Sequence, residues 1–191
     1  MSDHQGQPGL EPGRATMPLM AHLGELRTRI LKSVIAVLIA FFVAWSFHVE
    51  LYDFLITPIR DAMADHGLFS IRALQITESI AVYIRLALFG GVFLASPVIF
   101  YQLWAFVAPG LKDQERSTVV PVIGASVVFF FAGAAFCYLV VLPFMTDFLI
   151  ALTLEGEGLT LEPTLAGTFS YALWLLLAFG LVFQMPTIVL F

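Results

Sequence analysis

Cysteine is nearly absent from this chain. The single Cys137 excludes an internal disulfide. Its place inside an apolar run reads as a small buried side chain. Charge is scarce as well: Asp, Glu, Lys and Arg make up 12% of the 191 residues, against 60% hydrophobic and a mean hydropathy of +0.93. A soluble domain carries about twice that charge, so an ordinary globular core is excluded. The motifs of enzyme chemistry are missing too. There is no HExxH, no GxSxG, no clustered Cys and His, and no glycine-rich phosphate loop. His22, His48 and His66 fall on separate segments and do not converge as metal ligands would. Nothing therefore calls for a metal or a cofactor, and the net charge of −5 gives no hint of nucleic-acid binding. The polar, Gly- and Pro-rich start, residues 1–17, lacks the apolar segment of a cleavable signal peptide and reads as a disordered tail.

What the chain has instead is long apolar runs. A bilayer core about 30 Å thick needs about 20 apolar residues per helix, and four runs suffice: 30–47, 79–100, 118–144 and 164–190. Strand-like alternation is absent, so the fold class is an all-α polytopic membrane protein, with one membrane domain over 18–191. Arg14, Arg27 and Arg29 precede the first run and Lys32 lies at its start, and Lys112 and Arg116 separate the second from the third. The positive-inside rule places those segments, and the N-terminus, in the cytoplasm.

The outer loop from His48 to Thr77 contains "VELYDFLITPIRDAM", an amphipathic spacing that predicts a short interfacial helix. Pro58 is expected to end or kink it, having no backbone donor. Pro97, Pro121, Pro143 and Pro186 stand near span ends and predict curved, cupped packing. Gly90, Gly91 and Ala95, and Gly133 with Ala134, have the small-residue spacing that lets helix backbones meet.

On the inner face, "MAHLGELRTRI" places Met20, Leu23, Leu26 and Ile30 on one helical stripe, with Glu25 and Arg29 one turn apart. Taken alone, these two form a local ion pair. The second inner loop, "SPVIFYQLWAFVAPGLKDQERSTVVP", adds an aromatic interfacial stretch of Tyr101, Trp104 and Phe106 and brings Glu115 back towards the membrane. Two carboxylates then share one face, although Glu115 also reads as a solvated charge beside Lys112 and Arg116.

These stretches resemble the TatC family, the multi-spanning receptors of the twin-arginine protein translocase. The similarity rests on "HLGELRTR", "TPIRD", "TES", "SPVIFYQLWAFVAPGLKDQER" and "FFFAGAAFCYLVVLPF", in order, from Pro18 onward. The resemblance implies a six-span cupped bundle, of which this chain carries four spans and is cut after the fourth. It implies that Glu25 and Glu115 receive the paired arginines of a signal peptide on folded cargo. A planar guanidinium can bind a carboxylate bidentately and a lysine cannot. By the same resemblance Arg27, Phe106 and Pro58 are supporting site residues. Arg27 and Arg29 either position the acids or anchor the segment at lipid headgroups.

The implied setting is the bacterial inner membrane, in an oligomeric complex with the single-span subunits TatB and TatA. Transport would be driven by the proton gradient, without cofactor or metal. Gln184 stands where many relatives carry glutamate, so it serves either as packing glue or as a polar functional group. The alternatives are a small-solute secondary transporter, with Arg85 and Gln184 lining a midplane site, or a structural membrane scaffold.

Overall fold

The computed structural model describes residues 19–68, 70–108, 119–155 and 161–190. The tail expected at 1–17 and the acid Glu115 lie outside them. Seven α-helices occur among the described residues: α1 (Leu19–Ser46), α2 (His48–Asp65), α3 (Glu78–Val107), α4 (Val119–Phe136), α5 (Leu142–Leu154), α6 (Leu165–Val182) and α7 (Met185–Leu190). A π-helical turn, Cys137–Val141, joins α4 to α5. Among the described residues, four segments are long and apolar enough to cross a membrane: His22–Ser46, Glu78–Val107, Val119–Leu154 and Leu165–Val189. The protein is a multi-pass helical membrane protein.

The helices overrun the apolar runs. The amphipathic approach and the first span are one continuous helix, because nothing between Leu19 and Ser46 breaks it. The stretch with Tyr101, Trp104 and Phe106 is the end of α3 and not a loop. At 30 residues α3 is about 45 Å long, more than a bilayer core needs. The third span continues as helix to Leu154, into what reads from sequence as outer loop. The fourth is broken at Phe183 and Gln184, just before Pro186 in the first turn of α7.

The prolines inside helices are tolerated because other groups occupy the carbonyls they strand. Pro58 does not end α2, which runs through it. Its missing N–H leaves the Phe54 carbonyl without a helical donor, and the Tyr138 hydroxyl donates to that oxygen at 2.7 Å. The two rings stack at 4.2 Å and 4°. Pro97 frees the Phe93 carbonyl in the same way, and the neighbouring Ser96 hydroxyl donates to it at 2.7 Å. Ahead of Pro143, the π turn widens the helix so that the Leu142 N–H bonds Cys137 five residues back.

Successive spans run in opposite directions, so the start of α1, the end of α3, the start of α4 and α7 share one face. On the opposite face α2 packs against α5 and α3, forming a core of Leu55, Ile56, Ile59, Val82, Leu142 and Phe169. Lipid is as apolar as these side chains, so close contact and hydrogen bonds must hold the helices together. Gly91 provides one such approach, since a Cβ there would lie 2.9 Å from the Phe41 backbone nitrogen of α1. α1 otherwise contacts little: only 6% of its spanning window is buried, so a single stripe along α3 holds it.

The loop before α3 is pinned to the start of α6. The Arg72 N–H donates to the Pro163 carbonyl and the Leu165 N–H to the Arg72 carbonyl, both at 2.9 Å. The Arg72 side chain pairs with Glu162 at 3.1 Å. Glu78, buried at the start of α3, accepts from the N–H groups of Leu74, Gln75 and Ala166. The last of these is the exposed end of α6, whose own N-cap, Thr164, makes no side-chain cap. Glu78 therefore caps a helix that begins 87 residues further along the chain.

Candidate functional site

The first turns of α1 lie beside the last turns of α3, and their side chains form one polar cluster. Arg29 sits four residues after Glu25, hence one turn on along the same face. Its Nε donates to Glu25 Oε1 at 2.9 Å and its Nη2 engages the same oxygen. Arg29 Nη1 reaches across to Gln102 Oε1 of α3 at 3.3 Å. One turn beyond Gln102, Phe106 stacks on His22 with ring centroids 4.3 Å apart and planes at 19°. Both members of the ion pair are half-buried, at 25% exposure for the Glu25 side chain and 23% for Arg29.

The electrostatics of this cluster are asymmetric. Arg29 neutralises Glu25 through Oε1 and ties the pair to α3, whereas Glu25 Oε2 has no partner among the described residues. A carboxylate held this way keeps one oxygen open to a further donor, at the cost of competition from Arg29. Arg27 is exposed and, two residues from Glu25, sits on the other side of α1.

Glu25 and Arg29 thus pair directly, and Phe106 joins the same two helix ends through His22, while Pro58 and Gln184 lie elsewhere. Pro58 is on α2 at the opposite face of the protein. Gln184 belongs to a separate buried network: its Nε2 donates to the Ser126 carbonyl at 2.8 Å, and Trp104 Nε1 donates to Ser126 Oγ at 2.9 Å. Nearby Thr187 is buried, and its hydroxyl has no partner among the described residues. Gln184 thus bonds α4 to the break after α6.

The sequence reading missed Gln102 and set His22 aside as a scattered histidine. The i, i+4 spacing puts Gln102 and Phe106 on one face once that stretch is read as helix, but only the packing of α1 on α3 brings that face to Arg29 and His22. The midplane site with Arg85 and Gln184 does not form. Arg85 bonds Ser170, and Gln184 is fourteen residues further along, roughly 20 Å at the helical rise.

Comparison with known proteins gives a consistent result. A family model described as Sec-independent protein translocase protein (TatC) matches residues 21–191. A protein of that name from Desulforapulum autotrophicum is 36% identical over 174 residues, covering 91% of this chain and 63% of the relative. The protein of that name from Escherichia coli K12 is 34% identical over 171 residues, covering 90% and 65%. The chain thus spans just under two thirds of the length of these relatives. A solved structure described as the crystal structure of the twin arginine translocase receptor TatC superposes with a TM-score of 0.78. It is 34% identical, with 87% of this chain and 72% of that chain covered.

Proposed function

The chain belongs to the TatC family of Sec-independent protein translocase proteins, and on that premise we propose that it is the receptor part of a twin-arginine translocase. It binds the paired arginines of a signal peptide on folded cargo through Glu25 and Glu115, at the face where α1 begins. That face is cytoplasmic, in a bacterial inner membrane. Export is driven by the proton gradient, in an oligomeric complex with TatB and TatA. The protein acts by binding and not as an enzyme.

The observation that carries this reading is the state of Glu25. It is a half-buried carboxylate with one oxygen engaged by Arg29 and the other without a partner among the described residues. An incoming guanidinium can take the open oxygen, and each charge-assisted bond contributes about 1.5–3 kcal/mol. Phe106 stacked on His22 gives an aromatic wall beside it, and guanidinium planes stack on aromatic faces. Arg29 and Gln102 act as positioning residues, Arg27 as an exposed charge on the other side of α1, and Pro58 as a support on the far face. Glu115 enters on the family resemblance alone.

The test is site-specific photocrosslinking of a twin-arginine signal peptide to membranes containing the chain. Wild type is compared with Glu25→Ala, Glu115→Ala and a peptide with two lysines. Each change is expected to weaken crosslinking at least tenfold with membrane insertion intact. Crosslinks insensitive to all three would eliminate the paired-acid mechanism.

A further inference from the structure

The seam between α3 and α6 presents a cation that no carboxylate neutralises among the described residues. Arg85 lies seven residues into α3, about 10 Å from its start. Its side chain is exposed at the apolar surface between the two helices. Its Nη1 donates to Ser170 Oγ of α6 at 2.6 Å, its one hydrogen bond among the described residues. The ion pairs among those residues join Arg29 to Glu25, His66 to Asp147 and Arg72 to Glu162, so no carboxylate meets Arg85.

A guanidinium has five N–H donors and no acceptor, and Ser170, having accepted one of them, still has its own O–H to give. The pair is therefore a cluster of donors pointing out of the protein. One turn further from the start of each helix, Phe89 and Trp174 meet edge to face at 5.4 Å, with Trp174 64% exposed. The result is a cation and a hydroxyl above an aromatic shelf, on a surface left exposed by the described residues.

We propose that Arg85 and Ser170 bind the phosphate of a phospholipid headgroup, with an acyl chain lying over Trp174 and Phe89. An uncompensated cation is expensive at membrane depth. A long side chain one to two turns inside a helix can reach the headgroup level, where phosphate is the abundant anion. One turn deeper, the exposed Trp174 offers a broad apolar face to an acyl chain. A carboxylate on a neighbouring transmembrane helix is the competing occupant. Nothing in the seam favours it, whereas the vertical order of cation, hydroxyl and aromatic matches a lipid lying along the helix axis.

The experiment is native mass spectrometry of the full chain in a maltoside detergent, titrated with phosphatidylglycerol and, separately, with a phosphate-free diacylglycerol. Wild type is expected to retain at least one phosphatidylglycerol and no diacylglycerol. Affinity should fall about tenfold in Arg85→Gln and a few-fold in Ser170→Ala, and stay unchanged in Arg60→Gln, a change at an exposed arginine on α2. Should Arg85→Gln fail to fold, Ser170→Ala carries the comparison. Retention unaltered by either change would overturn the proposal. So would equal retention of diacylglycerol, or a loss in Arg85→Gln confined to co-purification of a partner helix.

Discussion

Replacing Tyr138 with phenylalanine keeps the ring that stacks on Phe54 and removes a single hydroxyl. In most helices that would matter little, but here the hydroxyl is the donor to a carbonyl that Pro58 has stranded. A net hydrogen bond contributes about 0.5–1.5 kcal/mol. Because Phe54 is exposed and water can reach its carbonyl in part, Tyr138→Phe should cost about 1 kcal/mol. The background decides the interpretation. Pro58→Ala restores a backbone donor four residues after Phe54, so Tyr138→Phe should then cost no more than about 0.3 kcal/mol. The double-mutant cycle should give a coupling of about 0.7–1 kcal/mol. Thermal unfolding in detergent is a suitable assay, with an expected difference of about 2–4 °C between backgrounds. Equal destabilisation in both backgrounds would refute the account, because the hydroxyl would then be acting on something other than the proline's carbonyl.

The other expectations concern the clasp, the helix approach and the buried amide. Glu78→Ala strands the Ala166 N–H and releases Leu74 and Gln75. It should lower stability by about 2 kcal/mol, with Glu78→Gln losing about half as much because it keeps one acceptor oxygen; equal losses in a melting experiment would count against the cap. Gly91→Ala drives a Cβ into the α1 backbone and should cost about 1–3 kcal/mol, whereas Gly124→Ala meets open space and should be neutral in the same melt. Gln184→Leu removes the bond to the Ser126 carbonyl and should cost about 0.6–1.5 kcal/mol in detergent unfolding; an unchanged midpoint would remove its role as glue.

The four spans were legible because lipid imposes a length and a composition that a single run of residues either meets or fails. Helix ends were less legible. Apolar runs mark where lipid touches a helix, and α1 and α3 both continue as helix past that zone. At the site, the i, i+4 pair of Glu25 and Arg29 could be read locally. Gln102 could not, because its role depends on how α1 and α3 are rotated against one another, 73 residues apart in sequence.

By itself, then, the sequence determined that this is a polytopic helical membrane protein with an acid and arginines at the start of its first helix. The solvent enforces such features one segment at a time. The tertiary structure decided which groups complete one another: Tyr138 for the carbonyl Pro58 frees, Glu78 for the end of α6, and Ser170 for Arg85. These pairings depend on the crossing and rotation of helices. That geometry is set by small residues and interlocking rings acting together, and no local pattern of the chain encodes it.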